Sequence, residues 1–200
     1  MAKHIDYYVS LNSPWTYLGS QRLEAMAARH GASVTIWPVD FGSVFAVSGG
    51  LPLPKRSPQR QAYRMMELKR WRDRVGVPLT LTPKFFPANE VPAARCVIAL
   101  REQGRMADAI KVAHAVLHAL WVDEKDTGDA ATLRAIVAGC GLDADAVLKV
   151  AEAPEIAAKR EAYTKHAIEQ GVFGAPSFVI DGEIFWGQDR LDFVDAKLAA

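Results

Sequence analysis

The stretch IDYYVSLNSPWTYL, residues 5–18, changes character in the middle. Ile5 to Val9 is short, β-branched and aromatic, which predicts a strand. Ser13 then offers a hydroxyl N-cap, and Pro14 stands at the first helical position, where its missing N–H leaves no bond unmade. Apolar Leu18, Leu23, Met26 and Ala27 carry that helix to Gly31, a residue suited to a left-handed stop. Val34 to Val39 predicts a second strand, bounded by Pro38 and a turn at Gly42. Strand, helix and strand with short connections imply parallel strands and a right-handed crossover.

The middle of the chain reads differently. Residues 43–58 are rich in Gly, Pro and Ser and are expected to form an irregular loop. Gln59 to Val75 is periodic and charged, a helix stopped by Gly76 and Pro78. Residues 79–92 hold three prolines and read as loop. Ala93–Gln103, Ala107–Trp121, Ala130–Ala138, Asp143–Ala151 and Pro154–Gln170 all read as helices, with Asp143 as an N-cap. Strand signals return at Ser177–Ile180 and Glu183–Trp186, joined by Asp181-Gly182, a pair that favours a type I′ hairpin turn. Asp189 to Leu198 closes as a helix. A parallel unit followed by a hairpin and a helix is the thioredoxin plan, an α/β fold. Residues 1–42 and 172–200 are therefore expected to form the thioredoxin-like part, and residues 43–171 a large all-helical insertion.

Composition narrows the function. The 24 basic and 23 acidic residues nearly cancel, so no broad nucleic-acid-binding surface is expected. No run of apolar residues is long enough to span a membrane. Residues 1–10 have no apolar stretch and no small-residue cleavage site, so no secretion signal is expected and a reducing cytoplasm is the default compartment. Cys96 and Cys140 stand far apart in apolar helical stretches and read as small buried hydrophobes. His114 and His118, four apart on one helix, have metal-compatible spacing but lack an acidic partner in the zinc-protease pattern, and no metal site is expected.

Three short segments carry the chemistry. Ser13-Pro14-Trp15-Thr16 occupies the turn where a thioredoxin-fold redox protein keeps its C-x-x-C pair. Unpaired N–H groups and the macrodipole at a helix N-terminus favour an anion there and acidify a thiol. With hydroxyls at residues 13 and 16, a dithiol cycle is impossible at this site. The place still suits a thiolate brought by another molecule, with Ser13 donating a hydrogen bond to it. Ser13 as a plain N-cap remains the competing reading. Gly174-Ala175-Pro176-Ser177 precedes the third strand. A cis Pro176 opposite the first helix presents the Ala175 backbone to an incoming peptide, such as a tripeptide thiol; the alternative is a turn proline opening a strand. Trp186-Gly187-Gln188-Asp189-Arg190-Leu191 opens the last helix. Its Asp189 carboxylate suits the ammonium of a glutamyl group or serves only as a cap. Lys55 and Arg56 suit a ligand carboxylate or belong to a solvated basic face. Trp15, Tyr17, Phe85, Phe86 and Trp121 are candidates for an aromatic pocket or for core.

These segments, SPWTYL at residues 13–18, FGAP at 173–176 and WGQDR at 186–190, resemble those of the 2-hydroxychromene-2-carboxylate isomerases. That family stands with the kappa-class glutathione transferases in the DsbA-like branch of the thioredoxin superfamily, and the resemblance spans essentially the whole chain. It implies glutathione as cofactor. By the same resemblance Ser13 activates the thiol, Ala175 before cis-Pro176 pairs with the cysteinyl backbone, and Asp189 with Arg190 holds the glutamyl end. Lys55 or Arg56 matches a basic contact to the ligand. The implied reaction is reversible addition of the thiolate to a conjugated aromatic substrate, rotation about the resulting single bond and departure of the thiolate. The family pattern further implies a homodimer acting in bacterial breakdown of aromatic compounds. Where the isomerases of naphthalene breakdown carry Asn-Arg after the second strand, this chain reads Pro54-Lys55-Arg56.

Kappa-type transferase or peroxidase activity is the alternative within the same chemistry. A non-catalytic peptide-docking module is the alternative of another class. Amphipathic, well-charged helices in the insertion disfavour the module, and the absence of cysteine at residues 13 and 16 disfavours a disulfide oxidoreductase.

Overall fold

Residues 3–200 are described by a computed structural model. The first two residues, part of the opening stretch read for a secretion signal and of the segment 1–42, lie outside the described residues. Four strands form one mixed sheet in the order β2-β1-β3-β4. Strand β1 (His4–Val9) lies parallel to β2 (Ser33–Pro38) and antiparallel to β3 (Ser177–Ile180), which pairs antiparallel with β4 (Glu183–Trp186). Helix α1 (Pro14–His30) makes the crossover between β1 and β2. This is the expected thioredoxin plan.

Local chemistry sets the ends of α1. Ser13 has extended backbone angles, and its side chain accepts from the Thr16 N–H at 3.2 Å. Gly31, at φ +61°, closes the helix and donates back to the last turn. The hairpin turn follows the predicted type I′ pattern: Asp181 and Gly182 have φ values of +52° and +80°. Asp143 caps its helix as expected, accepting from the Ala146 N–H at 3.1 Å.

Two expectations need correction. Residues 43–58 are not wholly irregular: helix α2 (Phe41–Ser48) occupies the first part, and Leu53–Lys55 is a single 3₁₀ turn. Asp40 caps α2 by accepting from the Gly42 N–H and the Ser43 hydroxyl. Phe41 and Val44 bury one face of it, so packing and a cap outweigh the low helix propensity of its glycine. At the other end, Asp189 lies in a 3₁₀ turn, Gln188–Arg190, and the final helix runs from Leu191 to Ala199 with no side-chain cap. Asp189 is therefore not a helix cap.

The insertion holds α3 (Pro58–Val75), α4 (Val91–Glu102), α5 (Met106–Trp121), α6 (Ala130–Gly139), α7 (Ala144–Ala151) and α8 (Pro154–Glu169), and α9 (Leu191–Ala199) ends the chain. The sheet and the helical block share an extensive hydrophobic cluster. It runs from Ile5, Tyr7 and Val9 through Leu23 and Met26 to Val97, Ile98, Val112 and Val116. Strand β2 is an edge strand, and the insertion covers that edge. The Arg101 guanidinium donates to the Ile36 carbonyl at 3.0 Å. It lies 3.6 Å from the Trp37 ring centroid and 4.1 Å from that of Tyr163. Covering the edge removes a template for unwanted strand pairing.

Both cysteines are free and buried. Burial, with help from the Glu152 charge, pushes the Cys96 thiol up to about 12; burial likewise raises Cys140. The thiolate is the reactive form. Native protein is therefore expected to show no fast reaction with Ellman's reagent at pH 8 and to react at both cysteines once unfolded. A rapid native thiol would contradict this placement.

Candidate functional site

Register places the two chemical motifs at one end of the sheet. Tyr8 is paired with Ser177, so the start of β3 lies beside the end of β1, where the chain turns into α1. Ser13 and the Ala175–Pro176 peptide, which is cis, flank that end. Beside it opens a cleft of ≈ 530 Å³. Helix α3 forms one wall with Arg60, Tyr63, Arg64, Glu67 and Trp71. The opposite side is built from Trp15, Ala175 and the turn from Trp186 to Arg190. This size falls within the usual range for small-molecule sites, roughly 300–1,000 Å³.

Each wall is held by identifiable contacts. Gly187 has φ +109°, a conformation side chains rarely adopt, and a Cβ there would collide with the Asp189 Oδ1. Its N–H donates to the Pro176 carbonyl at 2.9 Å, tying the aspartate turn to the proline loop. Arg22 of α1 donates to the Gln188 side chain at 2.7 Å and to its carbonyl at 3.2 Å. Gly19 lets α1 approach closely, since a Cβ there would lie 2.9 Å from the Gln188 Cβ. Helix α1 thus positions both motifs, one at its own N-terminus and the other through Gln188.

The electrostatics are uneven. Asp189 pairs with Arg190 at 3.4 Å, and Glu67 is engaged by Arg70. Arg56, Arg60 and Arg64 have no carboxylate within 4.0 Å among the described residues. Burial lowers the pKa of Arg56, with Arg60 adding repulsion; burial and the Arg56 charge lower Arg64 to about 10. Uncompensated cations on one wall favour an anionic ligand.

The predicted site residues separate by placement. Ala175, Asp189 and Arg190 line the cleft, as does Arg56. Lys55 is exposed and does not line it. Ser13 is half-buried at the head of α1; it is not part of the lining, whereas Trp15, two residues on, is. Pro176 is buried directly behind Ala175. Thr16 is 1 % exposed and its hydroxyl has no hydrogen-bond partner among the described residues, so residue 16 faces the interior. The Ala175 N–H and C=O make no hydrogen bond among the described residues, leaving both free for a peptide-like ligand.

Of the aromatic candidates, only Trp15 lines the cleft. Tyr17 and Trp121 are core; Tyr17 donates to the Pro78 carbonyl at 3.0 Å, and Phe86 packs on Trp121. His114 and His118 pack on Tyr17 with their own ring centroids 6.5 Å apart, and His114 contacts the Ser20 hydroxyl at 2.7 Å. The sequence reading missed Trp71 and Trp186 as lining residues, along with Arg60 and Arg64. For the α3 residues the signal was the i, i+4, i+7, i+11 spacing of Arg60, Arg64, Glu67 and Trp71, which places them on one face of the helix, whereas Trp186 ends β4.

Comparison with known proteins agrees with this architecture. Residues 4–199 match the model of the DSBA-like thioredoxin domain. The chain is 32% identical over 200 residues to a 2-hydroxychromene-2-carboxylate isomerase of Sphingobium xenophagum, covering 99% of each. It is 29% identical to the enzyme of that name from Pseudomonas putida, covering 97% of this chain and 93% of that one. A solved structure of 2-hydroxychromene-2-carboxylate isomerase superposes with a TM-score of 0.81 at 28% identity, over 98% of this chain and 94% of the other.

Proposed function

The chain belongs to the DSBA-like thioredoxin domain family, and from that premise we propose that it is a glutathione-dependent isomerase acting on an aromatic substrate of the 2-hydroxychromene-2-carboxylate type. The observation that carries the reading is the free Ala175 backbone at the mouth of a cationic, aromatic-walled cleft, beside a helix N-terminus that bears Ser13 in place of a cysteine. The naming of the full-length relatives supplies the reaction type.

The residues present fit glutathione. The Ala175 N–H and C=O can take its cysteinyl backbone as an added strand. Asp189 suits the glutamyl ammonium, and Arg190 and Arg56 suit its carboxylates. When bound, glutathione supplies a thiolate that adds reversibly to the conjugated double bond of the substrate, so that the bond can rotate. Ser13 Oγ already accepts from Thr16, which leaves its hydroxyl proton free to donate to that sulfur. The α1 N-terminus adds its partial positive charge. Trp15, Trp71 and Trp186 give the acceptor flat apolar walls.

The test is a spectrophotometric assay with 2-hydroxychromene-2-carboxylate, with and without glutathione, combined with a thiol titration before and after. Glutathione-dependent conversion with all thiol recovered is the expected result. Conversion that consumes thiol points instead to the transferase alternative. No conversion, together with no heat of glutathione binding by calorimetry, removes the reading.

A further inference from the structure

Among the three arginines that face the cleft unpaired, Arg64 is held differently from the others. Arg60 is exposed, and the Arg56 Nε is already committed to the Leu51 carbonyl at 2.8 Å. Arg64 is half-buried, with its guanidinium over two rings, 5.4 Å from the Phe86 centroid and 5.9 Å from that of Trp121. Its sole hydrogen-bond contact among the described residues is a weak one to Met65 Sδ at 3.7 Å. The two rings lie within cation–π reach of the guanidinium and offer it no hydrogen-bond acceptor, which leaves most of its five N–H donors unused. No carboxylate lies within 4.0 Å of it among the described residues, and Glu67, three residues on along α3, pairs with Arg70 instead. A partly desolvated guanidinium kept beside two further cations is costly unless a ligand anion completes it.

We propose that Arg64 is the specificity-determining residue for the aromatic substrate, recognising its carboxylate while the indole rings that line the cleft hold its ring system. This deepens the function proposed above and rests on it in assigning the Asp189–Arg190 and Arg56 side of the cleft to glutathione. Arg64 then discriminates between an aryl carboxylate and its neutral isostere, and it contributes little to glutathione affinity.

The experiment measures binding of trans-cinnamate and of trans-cinnamamide through intrinsic tryptophan fluorescence, to which the cleft residues Trp15, Trp71 and Trp186 contribute, with and without saturating S-methylglutathione. Wild type is compared with Arg64→Gln and Arg64→Lys. Wild type is expected to prefer cinnamate by about tenfold or more, the scale of a charge-assisted hydrogen bond. Arg64→Gln removes the preference and leaves cinnamamide binding unchanged; Arg64→Lys retains part of it, since a lysine keeps the charge and loses the fork. Unchanged cinnamamide binding also shows that the variant is folded. Equal binding of the two ligands by wild type, or binding of neither, overturns the inference. So does an Arg64→Gln variant whose calorimetric affinity for glutathione falls as far as its affinity for cinnamate, for then Arg64 serves glutathione. If S-methylglutathione does not bind but the Arg64-dependent preference persists, the anion site stands and the glutathione reading falls.

Discussion

Replacing Ser13 with alanine is expected to slow glutathione-dependent turnover at neutral pH by about 30- to 100-fold, the equivalent of roughly 2–3 kcal/mol for a hydrogen bond to a charged group. The sign of the pH dependence follows from the same bond. A donor to the thiolate stabilises the charged form, so its removal raises the pKa of the bound thiol by about one to two units. The rate of the variant should therefore climb with pH where that of the wild type has already levelled, and the gap between them should narrow toward pH 9. Calorimetry in buffers of different ionisation enthalpy should show proton release on glutathione binding near pH 7 for the wild type and little for the variant. Ser13 also caps α1, and losing a cap costs about 1 kcal/mol by itself. Ser13→Gly separates the two roles, because glycine is a tolerable cap but donates nothing. It should melt near the wild type and remain as slow as Ser13→Ala. Equal rates and equal pH profiles for all three proteins would reduce Ser13 to a cap.

The largest expected effect on stability belongs to Arg101. Its guanidinium packs in the corner formed by the edge-to-face rings of Trp37 and Tyr163 and donates to the Ile36 carbonyl on the outer edge of β2. Burial lowers its pKa, and Tyr163, Glu102, Asp6 and Tyr8 oppose that shift. Arg101→Ala removes two ring contacts, leaves an edge carbonyl without its donor and opens a cavity at the junction of sheet and insertion. The expected loss is about 3 kcal/mol, summed from a desolvated cation–π contact and a hydrogen bond to a charged donor. For a chain of this size that corresponds to a fall in melting temperature of roughly 6–12 °C. Lysine should recover less than half of it, because a compact, strongly hydrated ammonium cannot cover both rings and reach the Ile36 carbonyl as the planar guanidinium does. A melting temperature within 2 °C of wild type would show that the stack is incidental, taking roughly 2–4 °C per kcal/mol as the scale.

Several elements were legible in the sequence because each needed only local rules. Ser13, Pro14 and Gly31 mark the ends of α1, and Asp181-Gly182 marks the hairpin. Helix α2 was not legible, because Gly42 and the Gly49-Gly50 pair look like loop while the forces that form it are a cap and the burial of Phe41 and Val44. The cleft was half legible. Ala175, Asp189 and Arg190 belong to segments whose positions the topology sets. The contribution of α3 is tertiary: spacing shows that Arg60, Arg64 and Trp71 share a face, but which face meets Ala175 depends on how the insertion docks. Tyr17 and Trp15 show the same limit, since two aromatic residues two positions apart in the first turn of α1 go one to the core and one to the cleft.

The pairing of β1 with β3 also has a consequence for how the molecule is made. Tyr7 and Phe178 stack face to face in neighbouring strands with their centroids 5.3 Å apart, although nearly the whole chain separates them in sequence. On the ribosome, at about 5–20 residues per second, β1 waits on the order of ten seconds or longer for its partner. During that interval β1 has β2 on one side and an open edge on the other, the arrangement most prone to capture by another nascent chain. Loop closure over such a span is also slow unless the helical block condenses first and draws the two ends together. A helical block that condenses before β3 emerges would shorten the search that completes the sheet.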